Sequence, residues 1–584
     1  MKTLRLRMLL PIAVFVYVAA PSAARAQAPL EPAQMSSRTV FYLIWRGEPG
    51  AEARRANSLL ALWDDADFAP VRSAFATGML NSSGEKANQT KLTREQLQEF
   101  AGLLENSFTL GYLSEPGKRS VSSGAASADA KSAWNGMFFV YDLTGKEALL
   151  SKAILGLQAQ EKEAPRVSQI TVGGVAVFKA EGKNSITYWA NHGKYGVVAG
   201  ERSVMEDILS RLDGKVSGGV SLAQSAAYQE AKGNLGSGLL EFFLGIPDLE
   251  KLAADSKAGP LQIRPLLAAA RLDAVHSVSG HITFEGAKTH VQAAILGDAV
   301  AGTPFDIWSS GQASQASLSF VPADAISYTS AQVNLQGIYE TVKRVAHAAF
   351  PQGQQGNADL IDTIAQQKLG RPVPEALGLF TGEFASMQTS PSMDFTKQVY
   401  FFGIRKKPET LKLMRTVFSE QLTSERNEGD ITFLKISLGG KQASTGVAQW
   451  NFFNLAVTQD MILGAHRIET LREVLLNHAQ ASANGLATVP QFQAGRAQFP
   501  ENLSGLSYFD FQKVDWQALK DRWIEEAKKS PVAKTVSTAK NDVPTTAPDW
   551  LAQVNPQVFS RHLHYSSSVS WKDAKGIHWD QWLE

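Results

Sequence analysis

Two serine–lysine pairs, Ser83 with Lys86 and Ser537 with Lys540, stand at the S-x-x-K spacing, where a lysine one helical turn away can assist proton transfer from a serine nucleophile. Both pairs sit in polar, loop-like segments without S-D-N or K-T-G partners, so chance spacing is the expected explanation. His562 and His564 in RHLHY would share one face if that run were a strand, and alternate histidines can ligate zinc. No carboxylate or third histidine stands beside them, and His276 is alone at about the matching point of the first half, so a half-buried structural position is expected. His578 reads as a surface residue beside packed Trp579 and Trp582. Asp64, Asp65 and Asp67 could attract a hard cation, but between two apolar helical runs they read as helix caps.

The remaining chemistry is narrowed by absences. The chain has no G-x-S-x-G elbow, H-E-x-x-H helix, Walker loop or G-x-G-x-x-G fingerprint. With no cysteine it has no thiol nucleophile, thiolate metal site or disulfide. No catalytic, cofactor or metal-binding residue is therefore assigned. Among twelve tryptophans, Trp45, Trp63, Trp189 and Trp450 are the candidates for lining an apolar or carbohydrate-binding groove, against core packing as the plainer role. A net charge of +1, without a dense basic block interleaved with aromatics, argues against nucleic acid as a partner.

The elements that must hold these residues alternate helical and extended patterns. TREQLQEFAGLLE opens with Thr93 and Gln96 as a capping box, with Leu97, Phe100 and Leu104 on one face. KKPETLKLMRTVF puts Pro408 in a first turn and stacks Leu411, Met414 and Phe418. ITVGGVAVFKA, NSITYWANHGKYGVVAG, ITFLKISLGG and GVAQWNFFNLAVT read as strands of antiparallel meanders. Helices grouped around consecutive strands predict an α+β fold.

The pattern occurs twice. YGVVAGERSVMEDIL and MILGAHRIETLREVLL share a strand, a glycine and a helix, and Gly200 with Gly464, Leu222 with Leu486, and Tyr228 with Phe492 keep one constant spacing. Phe108 with Phe384, Phe139 with Phe402, Tyr42 with Tyr328, and Phe284 with Trp571 extend the correspondence in the same order. The spacing widens toward the end because of a polar insertion at 530–548. The expected organisation is a first α+β module at 38–300, a linker at 301–319 rich in small residues, and a second module at 320–584.

Of the 584 residues, 44% are hydrophobic and 19% charged, as in a globular chain able to bury sizeable cores. Lys2, Arg5 and Arg7 precede an apolar run from Met8 to Ala20 and the small residues Ala24 and Ala26. This is the pattern of a signal peptide over residues 1–26, cut after Ala26, and the run is short for a membrane span. The mature chain is expected in the periplasm or secreted, without a transmembrane helix.

RTVFYLIWRG, YGVVAGERSVMEDIL, then Ser221-Leu222-Ala223 with Tyr228, and Leu486-Ala487 with Phe492 before LSYFDF, resemble a bacterial family of extracytoplasmic proteins known only as a domain of unknown function. The resemblance implies a duplicated module and supplies no catalytic residue. The lack of cysteine departs from the lipoprotein pattern of many such relatives. The expected role is a non-enzymatic binding or interaction protein of the cell envelope, its partner an envelope protein or an apolar ligand. A periplasmic carrier of a lipid or other apolar ligand is the first alternative. It requires a cavity of several hundred Å3 lined by apolar side chains. A hydrolase with a site assembled from distant residues is the second, and it requires a cleft where Ser, Asp or Glu meets a histidine.

Overall fold

Runs such as TVFYLIW and FTLGYL alternate outward and inward side chains every residue, so an antiparallel partner on each side leaves two distinct faces. The computed structural model describes residues 28–74, 105–114, 136–146, 166–181, 186–215, 220–235, 238–246, 268–300, 302–308, 315–349, 356–438, 452–480, 485–529 and 547–584. The leader, the Thr93 helix start, both serine–lysine pairs, Trp450 and nearly all of the inserted loop lie outside them. The fold is mixed α+β, and every registered strand pair is antiparallel. It divides into two units: Met1–Leu261, His276–Ala294 and Ile524–Val558 form one, and Gln262–Val275, Ile295–Trp523 and Phe559–Glu584 the other.

The first run of strands is β1 (Thr39–Trp45), β2 (Phe108–Leu113), β3 (Met137–Asp142), β4 (Arg166–Val172), β5 (Val175–Glu181), β6 (Ile186–His192), β7 (Tyr195–Ala199), β8 (Leu240–Gly245), β9 (Val275–Glu285) and β10 (Lys288–Gly297). They hydrogen-bond in the order β4, β5, β6, β7, β3, β2, β1, β8, β9, with β10 on β9. Helix Arg202–Leu212 lies against β3, β6 and β7 and buries Val204, Met205, Ile208 and Leu209, each worth roughly 1.5–3 kcal/mol when fully buried. The face bearing Leu43, Phe108, Leu110, Tyr141 and Trp189 gathers into an apolar cluster. On the other face, the Tyr42 hydroxyl donates to Glu241 Oε1 at 2.5 Å. Arg46 Nη2 reaches Glu241 Oε2 at 3.2 Å, and the same guanidinium pairs with Glu31. Glu241 is buried, so these partners replace its lost hydration.

The second run is β11 (Ser327–Gln332), β12 (Phe380–Gln388), β13 (Val399–Ile404), β14 (Leu422–Glu428), β15 (Ile431–Ser437), β16 (Phe452–Val457), β17 (Met461–Ala465), β18 (Gly505–Asp510), β19 (Tyr565–Asp573) and β20 (Gly576–Leu583). Their order is β14, β15, β16, β17, β13, β12, β11, β18, β19, β20. Helices Ile468–Gln480 and Pro490–Arg496 supply Leu471, Val474 and Phe492 to a core with Tyr328, Phe401, Leu463 and Tyr508. Helix Lys407–Val417, with Pro408 in its first turn, buries Leu411 and Met414 against Ile404, Leu434, Leu455 and Ile462. That helix shields part of the opposite sheet face.

Candidate functional site

The opposite face of β13, β12, β11, β18, β19 and β20 is organised by cross-strand register. Tyr400, Ser386, Thr329, Ser507, Ser568 and Gln581 fall opposite one another in turn, making one row of hydroxyl and amide side chains across six strands. The next row on the same face is Phe402, Phe384, Ala331, Gly505, Ser570 and Trp579. A third runs Gln388, Ser327, Phe509, Ser566 and Leu583. None of these three rows carries an Asp, Glu, Lys or Arg. Their neighbours one residue away, including Tyr328, Ala385, Met387, Leu506, Tyr508 and Val569, point into the core, as the period-two alternation requires.

Phe384 and Phe402 remain 39% and 38% exposed, with ring centroids 5.1 Å apart. Large apolar side chains gain free energy from burial, so two adjacent exposed rings form a place where a ligand could stack. Thr329 is exposed, and its hydroxyl lies 2.9 Å from that of Ser507. Gln581 Nε2 donates to Ser566 Oγ at 2.9 Å. Ala331 and Gly505 sit between the phenylalanine pair and Trp579, so the middle of their row is low. A Cβ added to Gly505 would lie 2.6 Å from the Ser570 hydroxyl oxygen, which occupies that space.

The phenylalanine pair is aimed by a bulge. Regular β12 pairing breaks between Phe380 and Phe384, and Gly382 within the break has φ +89°, a conformation open to glycine but strained for other residues. Its carbonyl accepts from Val333 N at 3.0 Å. Beyond the bulge Glu383, only 4% exposed, turns inward and accepts from Ser317 N at 2.9 Å and Ser317 Oγ at 2.6 Å. Alternation then sends Phe384 outward. The Ser317 hydroxyl also meets the Tyr328 hydroxyl at 2.8 Å, and burial pushes the Tyr328 pKa up to about 12, leaving a neutral phenol under this face.

The four candidate tryptophans are dispersed. Trp45 and Trp189 belong to the apolar cluster of the first unit, where Trp189 is 2% exposed and stacks on Phe178 at 5.4 Å. Trp63 packs on Phe68 at 5.8 Å. Among the aspartates, Asp64 pairs with Arg54, Asp65 caps the turn Ala66–Phe68, and Asp67 accepts from Asn555 Nδ2 at 2.9 Å.

The histidines depart from expectation in two places. His562 ends helix Gln557–His562 and His564 precedes β19, so the pair does not alternate along a strand. His578 is not a surface residue: it is 6% exposed and stacks on Trp571 at 5.0 Å, because β20 turns that position toward the packed side. Its Nε2 lies 3.1 Å from Asp573 Oδ1, a close polar contact without hydrogen-bond geometry. Burial would raise the Asp573 carboxyl, but N–H groups of Lys575 and Gly576 together with His578 hold it below the usual range. His276 Nδ1 lies 2.8 Å from Glu230 and His192 Nε2 lies 2.7 Å from Asp213, both within the first unit.

An open depression of about 600 Å3 is lined by Ala269, Glu340, Lys343, Arg344, His347 and Ala348, four of them titratable. Among the described residues no group of three or more His, Cys, Asp or Glu is gathered for a metal, and no helix is long and apolar enough to cross a membrane. Comparison with family models, curated proteins and solved structures finds no match to this chain.

Proposed function

We propose that this chain is an exported, non-enzymatic binding protein of the cell envelope, acting in the periplasm or after secretion. The observation that carries the reading is the set of three uncharged rows on one face of the second unit, where Phe384 and Phe402 stay exposed beside a row of hydroxyls while the reverse face is filled by core. A catalytic reading has less support, since none of the three rows carries a histidine or a carboxylate. The apolar-carrier reading also has less, because the open depression is ringed by Glu340, Lys343, Arg344 and His347 rather than enclosed by apolar side chains.

The chain is further proposed to be a duplicated module, of the kind found in the bacterial family it resembles. In support, numbering each run of ten strands from its own start gives the same order, 4-5-6-7-3-2-1-8-9-10. Tyr42 and Tyr328 hold equivalent buried places in β1 and β11. The strand pairings match Val198, rather than Gly200, with Gly464, because these two lie opposite Phe139 and Tyr400 in corresponding strand pairs.

A photo-crosslinking amino acid at Thr329, irradiated in intact cells, tests the binding reading. A discrete adduct to an envelope component is expected, suppressed when Phe384 and Phe402 are both changed to Ser. No adduct from Thr329, with reactive control positions elsewhere on the chain, would refute it.

A further inference from the structure

We infer that the partner of this face is a neutral polysaccharide strand lying across β13, β12, β11, β18, β19 and β20; the inference rests on the binding reading above. Three observations select this chemistry. First, the rows hold no charge, so an anionic or cationic polymer would find no counter-charge there. Second, Tyr400, Ser386, Thr329, Ser507, Ser568 and Gln581 are hydroxyl or amide groups, able both to donate and to accept, which matches a sugar ring's own hydroxyls. An apolar chain laid over them could not replace the water bonds it displaces, at about 1–3 kcal/mol for each polar group left unpaired, while a protein interface core is ordinarily depleted in serine. Third, Phe384 and Phe402 at one end and Trp579 toward the other are aromatic side chains that can take the C–H side of a sugar ring, with only the small side chains of Ala331 and Ser570 and no side chain at Gly505 between them.

The hydroxyl row spans five inter-strand gaps, about 24 Å at ~4.8 Å each, which suits an extended polymer better than a single sugar. Strand spacing sets the repeat of the polar groups, and no reaction is implied.

Affinity electrophoresis of the full mature chain tests this, through gels containing soluble β-glucan, galactomannan or glycol chitin, with alginate as the anionic contrast. Retardation by at least one neutral polymer is expected, little changed between low and high salt. It should weaken at least tenfold in the Phe384→Ser/Phe402→Ser variant and severalfold in Ser507→Ala/Ser568→Ala. Unchanged circular dichroism in both variants would exclude misfolding, and Ser568→Ala alone serves if the double variants fail to fold. Retardation by none of the three neutral polymers, by alginate only, or equally in wild type and variants would overturn the inference. If that happens while Thr329 still crosslinks to an envelope protein, the binding reading survives and the polysaccharide does not; if both assays are blank, both readings fall.

Discussion

Replacing Gly382 by Ala should damage stability and binding together, because the residue both absorbs a strained backbone angle and aims Phe384. At φ +89° an L-residue costs about 1–2 kcal/mol. A Cβ there would also run into the Val333 carbonyl oxygen and approach Gln332 Nε2 at 3.0 Å. The carbonyl belongs to backbone that already bonds Gly382, so it cannot step aside cheaply, and overpacking of this kind adds about 1–3 kcal/mol. The total is about 2–5 kcal/mol, or roughly 2–4 °C of Tm per kcal/mol for a unit of this size. Gly429→Ala supplies the control: its φ is +59° but nothing stands within 4 Å of the added Cβ, so only the backbone share of about 1–2 kcal/mol should appear. The assay is thermal unfolding followed by tryptophan fluorescence, paired with electrophoresis in the retarding gel. If Gly382→Ala melts together with Gly429→Ala and is retarded like wild type, the added Cβ meets no clash at Val333 and the bulge does not direct the phenylalanines.

Other consequences follow from the cores. Arg46→Met leaves buried Glu241 without its cation and should destabilise by about 3–5 kcal/mol in chemical denaturation, with part of the loss recovered when Glu241→Gln is added; equal stability of single and double variants would refute the pairing. Leu471→Ala, at a position with no exposed surface, should cost about 2–5 kcal/mol by the same measurement. Asp142 is drawn toward a higher pKa by burial, but bonds from the Thr144 N–H and hydroxyl and from Lys194 hold it below its ordinary 3.8. A lowered carboxyl stabilises the folded chain fully above its unfolded pKa, and this contribution fades as pH falls through the folded one. Acid titration of stability should therefore become shallower below pH 3.8 in Asp142→Asn; an identical acid limb would reject the role.

The elements were legible where the signal is local. Pro408 with Leu411 and Met414 marked a helix, and ITVGGVAVFKA and NSITYWANHGKYGVVAG marked strands, because turn residues and side-chain periods act over a few positions. The candidate face was not legible, because its rows depend on which strands become neighbours. Thr329 and Ser507 meet across 178 residues of sequence, and a one-residue slip would turn either hydroxyl into the core. The alternating serines of SSSVSW were the one available clue, being polar at every second place around a buried valine. Single residues are less legible: His578 reads as a surface residue beside packed Trp579 and Trp582, but Trp571 on the adjacent strand covers it. The shared face of the RHLHY histidines requires a strand there, yet the first of them closes a helix.

The division of the chain between its two units bears on the order in which they can be finished. The first unit takes Ile524–Val558, and Asn555 in that segment bonds Asp67. A chain growing from its N-terminus has therefore synthesised every strand from β1 to β18 before the last piece of the unit it began is available. Nascent-chain release should leave that earlier half protease-sensitive until late in synthesis, and no single cut can free either half intact. Such an arrangement makes completion of the first unit wait on the last part of the chain.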